Sequence, residues 1–93
     1  MVTGTLEIEF ILHDCHSLKE KRSIVRRIIE KTRNRFNVSI AEIDCLDLCQ
    51  RAIIGVSVVS NDRRHANSVL DHVIDFMENM HIAEVAEIRM DFF

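Results

Sequence analysis

The chain has 93 residues, a formal charge of −3, 47% hydrophobic and 29% charged residues, only two glycines and no proline. That length makes one domain burying roughly 60–65% of the surface its unfolded chain would expose, which excludes a two-domain enzyme, and the composition excludes disorder and collagen-like repeats. No apolar run reaches the ~18–20 residues that span a bilayer and no secretory segment opens the chain, so the expectation is a cytoplasmic protein with no membrane partner.

Residues 2–12 alternate: Val2, Leu6, Ile8, Phe10 and Leu12 are separated by Thr3, Thr5, Glu7 and Glu9, with Ile11 out of phase. This predicts a strand buried on one face. At Ser17-Leu18-Lys19-Glu20 the period changes, because these residues form a capping box in which the Ser17 hydroxyl accepts from the Glu20 amide and the Glu20 carboxylate reaches back. Leu18, Val25, Ile28, Ile29, Thr32 and Phe36 then recur at helical spacing, with Asn34 and Asn37 as terminators.

Val38 to Cys45 reads as a second strand whose apolar phase slips between Ile40 and Ile43, as a bulge or twisted edge would require. Ala52 to Val59 is the most β-branched stretch and predicts a central strand. Ser60-Asn61-Asp62 offers N-caps for a second helix carrying Ala66, Val69, Leu70, Val73, Met77 and Met80 on one face. Ala83 to Phe93 alternates again through Ala86, Ile88, Met90 and Phe92.

Strand, helix, strand, strand, helix, strand, with no linker or repeat, predicts a single α+β domain over residues 1–93: a ferredoxin-like βαββαβ sandwich, with a four-stranded antiparallel sheet and both helices on one face. The other sheet face would carry Thr3, Thr5, Glu7 and Glu9 beside Ile53, Gly55, Ser57 and Val59. Such an uncovered, partly apolar surface, or an edge strand, is a natural place for a homodimer to form, and the chain would then be a protein–protein interaction module.

Residues 17–36 hold eight Lys/Arg against two Glu, a block of +6 on a body of −9. At about 100° per residue, Lys19, Arg22, Arg26 and Arg33 share an arc of about 60° beside the apolar stripe, while Arg27, Lys31 and Arg35 occupy the opposite flank. Two readings follow. The arc contacts phosphates, making it the candidate nucleic-acid-binding surface, or it is a solvated face paired to the acidic remainder of the chain. Lys21 falls inside the apolar arc, where it must snorkel outward or meet Glu42 or Asp44.

The three cysteines, Cys15, Cys45 and Cys49, are an odd set that argues for reduced thiols. His13-Asp14-Cys15-His16 and Cys45, Asp47 and Cys49 carry ligand types zinc accepts, but the two groups meet only if the first strand and the second end at the same side of the sheet. Antiparallel first and second strands would separate them, so no metal and no cofactor is expected. Adjacent Cys15 and His16 point to opposite faces of an extended chain, and no phosphate loop, H-E-x-x-H or G-x-S-x-G occurs, so no catalytic residues are expected and the chain reads as a non-enzyme. The third strand lacks the base-stacking aromatics of an RNA-recognition motif; bound RNA would be held through its backbone by the basic helix.

Ser17-Leu18-Lys19-Glu20-Lys21-Arg22, Phe36-Asn37-Val38-Ser39, Ala41-Glu42, Asp47, Gln50-Arg51 and Val58-Val59-Ser60-Asn61-Asp62 together resemble the YlxP-like family of small bacterial proteins, a domain of unknown function. The resemblance covers essentially the whole chain. It implies a ferredoxin-like fold, attaches no reaction or cofactor, and through gene neighbourhood implies an association with translation initiation and ribosome maturation, so that RNA or a ribosomal subunit becomes the expected partner. The sequence departs from the family pattern at Cys49, where a tryptophan is common before the Gln-Arg pair, and at His13-Asp14-Cys15. Arg51 is expected to anchor Asp47 or Glu42, or to extend the basic surface.

Overall fold

A computed structural model describes all 93 residues. The elements follow in the order β1 (Val2–Ile11), α1 (Leu18–Arg35), β2 (Ser39–Asp44), β3 (Arg51–Ser60), α2 (Arg63–Asn79) and β4 (Glu84–Phe92). The strands form one antiparallel sheet ordered β2-β3-β1-β4, and α1 and α2 pack on one of its faces. This is the ferredoxin-like sandwich the element order predicts.

Period-two burial explains the layering. Leu6, Ile8 and Phe10 of β1 and Ala52, Ile54, Val56 and Val58 of β3 face the helices, and meet Val25 and Ile28 of α1 and Ala66, Leu70, Val73 and Met77 of α2 in one core. Each large aliphatic side chain so buried contributes about 1.5–3 kcal/mol. The outward residues of the same strands leave the second sheet face uncovered, where Val59 is 63% and Ile43 47% exposed.

The irregularities have local causes. Register shifts between Glu42 and Asp44 on β2, so Ile43 sits in a bulge, as the slipped phase requires. A second shift between Glu9 and Phe10 leaves Ala86 of β4 without a partner, and Val85 takes its place opposite Phe10. The alternation expected through Ala86 is corrected there: Val85, Met90 and Phe92 pack against the core, while Ile88 stays 40% exposed.

Ser17 caps α1 by accepting from the Glu20 amide at 3.1 Å. The Glu20 carboxylate, however, accepts from the His16 amide at 3.4 Å, one residue before the cap. Neither asparagine ends the helix. Its last residue is followed by Phe36, which turns extended so that its ring meets Phe76 of α2 edge-on at 5.6 Å, burial outweighing the local preference for a polar terminator. Asp62 caps α2 through the Arg64 amide at 2.9 Å.

One topological expectation is corrected. β1 and β2 both run antiparallel to β3, so they are parallel to each other and finish at the same end of the sheet, with Ile11 opposite Arg51 and Asp44 opposite Ile53. The β1–α1 and β2–β3 loops are therefore neighbours: the Leu12 amide donates to the Gln50 carbonyl at 2.9 Å, and Gln50 Nε2 donates to the Cys15 carbonyl at 3.1 Å.

Candidate nucleic-acid interface

α1 is an 18-residue amphipathic helix that buries Lys21, Val25, Ile28 and Thr32 and leaves the rest of its cations outside. Thr32 is fully enclosed, and its hydroxyl donates to the Ile28 carbonyl at 2.8 Å, so no polar group is stranded. Lys21 is 1% exposed. Its ammonium lies 2.8 Å from Glu42 Oε2 and donates to the Cys45 carbonyl at 2.5 Å, fixing the start of α1 to the end of β2. Glu42 Oε2 is itself buried and has no aligned hydrogen-bond donor, so its contact with Lys21 is one of charge. Of the two carboxylates expected for this lysine, Glu42 takes it; Asp44 instead accepts from the Cys45 amide at 2.8 Å.

The predicted arc lies on the solvent side of the helix. Lys19, Arg22, Arg26 and Arg33 are all exposed. Arg33 Nη2 donates to the Ile40 carbonyl at 3.2 Å, which sets the arc beside β2, an edge strand of the sheet. Arg27, Lys31 and Arg35 are exposed on the other flank, toward α2, where the Arg35 guanidinium lies 5.5 Å from the centre of the Phe76 ring.

The exposed cations of this helix form no ion pair with the acidic remainder of the chain. The ion pairs are Lys21–Glu42, Arg51–Glu9, His13–Glu84 and Arg89–Asp91, and none uses a cation of α1 other than the buried lysine. Seven cations in 18 residues, about 27 Å of helix, thus project into solvent without a carboxylate within 4 Å. Such a row is costly to hold together except where counterions or a polyanion condense on it.

Arg51 plays no part in that surface. It belongs to the uncovered sheet face, where its Nε donates to Glu9, and this bond, with Cys45 and Asp44 nearby, raises the guanidinium's pKa above its ordinary value. Neither partner expected for it, Asp47 or Glu42, takes it; Glu42 points to the helical side of the sheet and pairs with Lys21. Glu7, Glu9, Arg51, Glu87 and Arg89 line a shallow depression on the open face, in which Glu9 stands directly opposite Glu87.

The cysteine-bearing loops do come together, contrary to the expected separation, through the Leu12–Gln50 backbone bond and the Gln50 side chain. Cys15 is buried and its thiol donates to the Ser17 carbonyl at 3.3 Å; the Cys45 carbonyl, at a positive φ of 59°, accepts from Leu48 and Lys21. No three His, Cys, Asp or Glu side chains converge to hold a metal ion. Two contacts escaped sequence reasoning because they join distant positions: Arg63 over the Phe92 ring at 4.8 Å, and His13 with Glu84.

Fold and surface together define a ferredoxin-like sandwich whose first helix carries seven exposed cations outside any ion pair. The family described as "Protein of unknown function (DUF503)" matches residues 3–90, and the chain belongs to it. The "Uncharacterized protein YlxP" of Bacillus subtilis (strain 168) is 38% identical over 90 residues, covering 97% of this chain and 98% of that one. Among solved structures, the de novo designed protein Foldit4 superposes with a TM-score of 0.52 at 14% identity, over 97% of this chain and 94% of the design. The designed protein Ferredog-Diesel gives a TM-score of 0.45 at 14% identity, over 96% and 83%.

Proposed function

We propose that this is a non-enzymatic cytoplasmic protein that binds structured RNA, in a ribosomal subunit or its precursor, through Lys19, Arg22, Arg26 and Arg33. One observation carries the reading: these cations are exposed and have no carboxylate partner in a molecule that is acidic overall. Phosphate contacts release condensed counterions, so four of them give a log–log salt slope of roughly −3. The test is a salt series of binding to purified small ribosomal subunits, comparing wild type with Arg22→Glu/Arg26→Glu/Arg33→Glu and checking both by thermal melt. Binding that weakens with salt and disappears in a folded triple variant supports the reading; binding indifferent to both removes it.

A second reading rests on the uncovered sheet face, where Val59 and Ile43 stay 63% and 47% exposed. There the chain is a homodimeric protein–protein interaction module without nucleic-acid binding. A monomer mass by sedimentation at tens of micromolar would remove it.

A further inference from the structure

The solvent side of α1 is divided lengthwise. Lys19, Arg22, Arg26 and Arg33 form one cationic row and Arg27, Lys31 and Arg35 a second, their centres roughly 150° apart around the helix. Between the rows run Ser23, Glu30 and Asn34, all exposed. The crest of the helix is therefore neutral or acidic, and the positive charge stands on its two shoulders. The body of the protein steadies one cation in each row, from opposite sides: the Ile40 carbonyl of β2 holds Arg33 at 3.2 Å, and the Phe76 ring of α2 lies under Arg35 at 5.5 Å.

A single polynucleotide strand offers one line of phosphates. It satisfies one row and leaves the other idle, and a strand laid along the crest meets Glu30. Two phosphate lines with a recess between them match both rows at once. The minor groove of A-form RNA has that shape: it is wide and shallow, bordered by the phosphates of both strands and lined by 2′-hydroxyls that donate and accept. Ser23 and Asn34 can each donate and accept, and Glu30 can accept, so the crest suits hydroxyls where it would repel phosphate. The deep, narrow groove of the same duplex is closed to α1, because the helix lies flat on the sheet beside α2 and cannot project into it.

Resting on the RNA-binding reading above, we infer that α1 straddles the minor groove of an RNA duplex, one cationic row on each strand, with Ser23, Glu30 and Asn34 facing the 2′-hydroxyls. The protein then selects a shape and the ribose chemistry, and reads no base sequence.

The test is fluorescence anisotropy at fixed salt with a short blunt RNA duplex, the DNA duplex of the same sequence, and one RNA strand alone. The RNA duplex is expected to bind at least about tenfold more tightly than either of the others, since both lose one set of contacts. Arg22→Glu/Arg26→Glu and Arg27→Glu/Lys31→Glu should each weaken duplex binding by at least about tenfold, because each reverses two of the charges facing one strand. Ser23→Ala/Asn34→Ala, at exposed helical positions that tolerate alanine, should shrink the RNA-over-DNA preference by about fivefold and leave the salt slope unchanged. Single strands bound as tightly as the duplex, or a second-row reversal without effect, would overturn the straddling arrangement and leave RNA binding standing. No binding to any of the three probes or to ribosomal subunits would overturn both.

Discussion

Replacing Lys21 with methionine tests whether the buried ion pair holds the first helix to the sheet. At 2.8 Å and an effective dielectric of about 20, the gross attraction between the Lys21 ammonium and Glu42 is about 6 kcal/mol, most of it offset by the desolvation of both ions. The measurable quantity is the cost of stranding Glu42, together with loss of the hydrogen bond to the Cys45 carbonyl. Removing one partner of a buried pair costs about 3–5 kcal/mol. Glu42 keeps 16% of its side chain in solvent, which places the expectation at the lower end. About 3 kcal/mol corresponds to a fall in Tm of roughly 12–24 °C for a domain of this size. Urea and thermal unfolding followed by circular dichroism would measure it. The double variant Lys21→Met/Glu42→Met should regain much of the loss, because no uncompensated charge is left buried. A single variant melting within about 2 °C of wild type, or a double variant no better than the single, would refute the reasoning.

Four further outcomes follow from packing, capping and burial. A methyl at Gly4 would lie 3.0 Å from Leu70 Cδ1 and 3.3 Å from Phe92, inside the core, so Gly4→Ala should cost about 1–3 kcal/mol in urea unfolding. At Gly55 the obstacle is the Cγ2 of Ile43, 2.9 Å away, a methyl that moves only if the branched side chain changes χ1; Gly55→Ala should therefore cost about 1–2 kcal/mol, and no loss would show that the half-exposed Ile43 repacks freely. Asp62→Ala removes the acceptor for the Arg64 amide and should lower stability by about 1 kcal/mol, checked by the same unfolding curves. Cys15 is 1% exposed while Cys45 and Cys49 are partly open, so a thiol reagent should titrate two sulfurs in the native protein and the third only on unfolding; three rapid equivalents would contradict the burial.

Local signals carried most of the fold. The period of two in Leu6, Ile8 and Phe10, the change of period at Ser17 and the phase slip before Ile43 are each consequences of a buried face, and each is present in the structure as a strand, a cap and a bulge. What failed was the relation between elements. The ends of β1 and β2 were separated by a rule about neighbouring strands, whereas β3 lies next to both and makes them parallel. The displaced alternation in β4 has the same origin, since its bulge is a property of its pairing with β1 and leaves no mark in β4 alone. The candidate site was legible to the extent that helical spacing fixes directions around an axis. Spacing placed Lys21 inside and Arg33 outside; it held no information on Arg33 reaching the Ile40 carbonyl or Arg35 reaching Phe76, contacts that depend on which neighbours the topology supplies. Arg51 went to Glu9 because the partner was decided by the face of the sheet and not by nearness in sequence.

The central position of β1 bears on how the chain is made. β1 emerges before the other strands of this sheet, yet one of its sides is completed only by β4, with Gly4 against Phe92 and the Thr3 and Phe93 backbones exchanging both hydrogen bonds at 2.9 Å. Until β4 leaves the exit tunnel, the emerging chain can form a three-stranded sheet in which β1 is an exposed edge of Val, Ile and Phe residues. Pairing over so long a sequence separation is slow, and an open apolar edge invites the wrong partner. The sheet thus closes only once β4 has emerged, and the interval before closure is when the domain is most exposed to aggregation and most open to a chaperone.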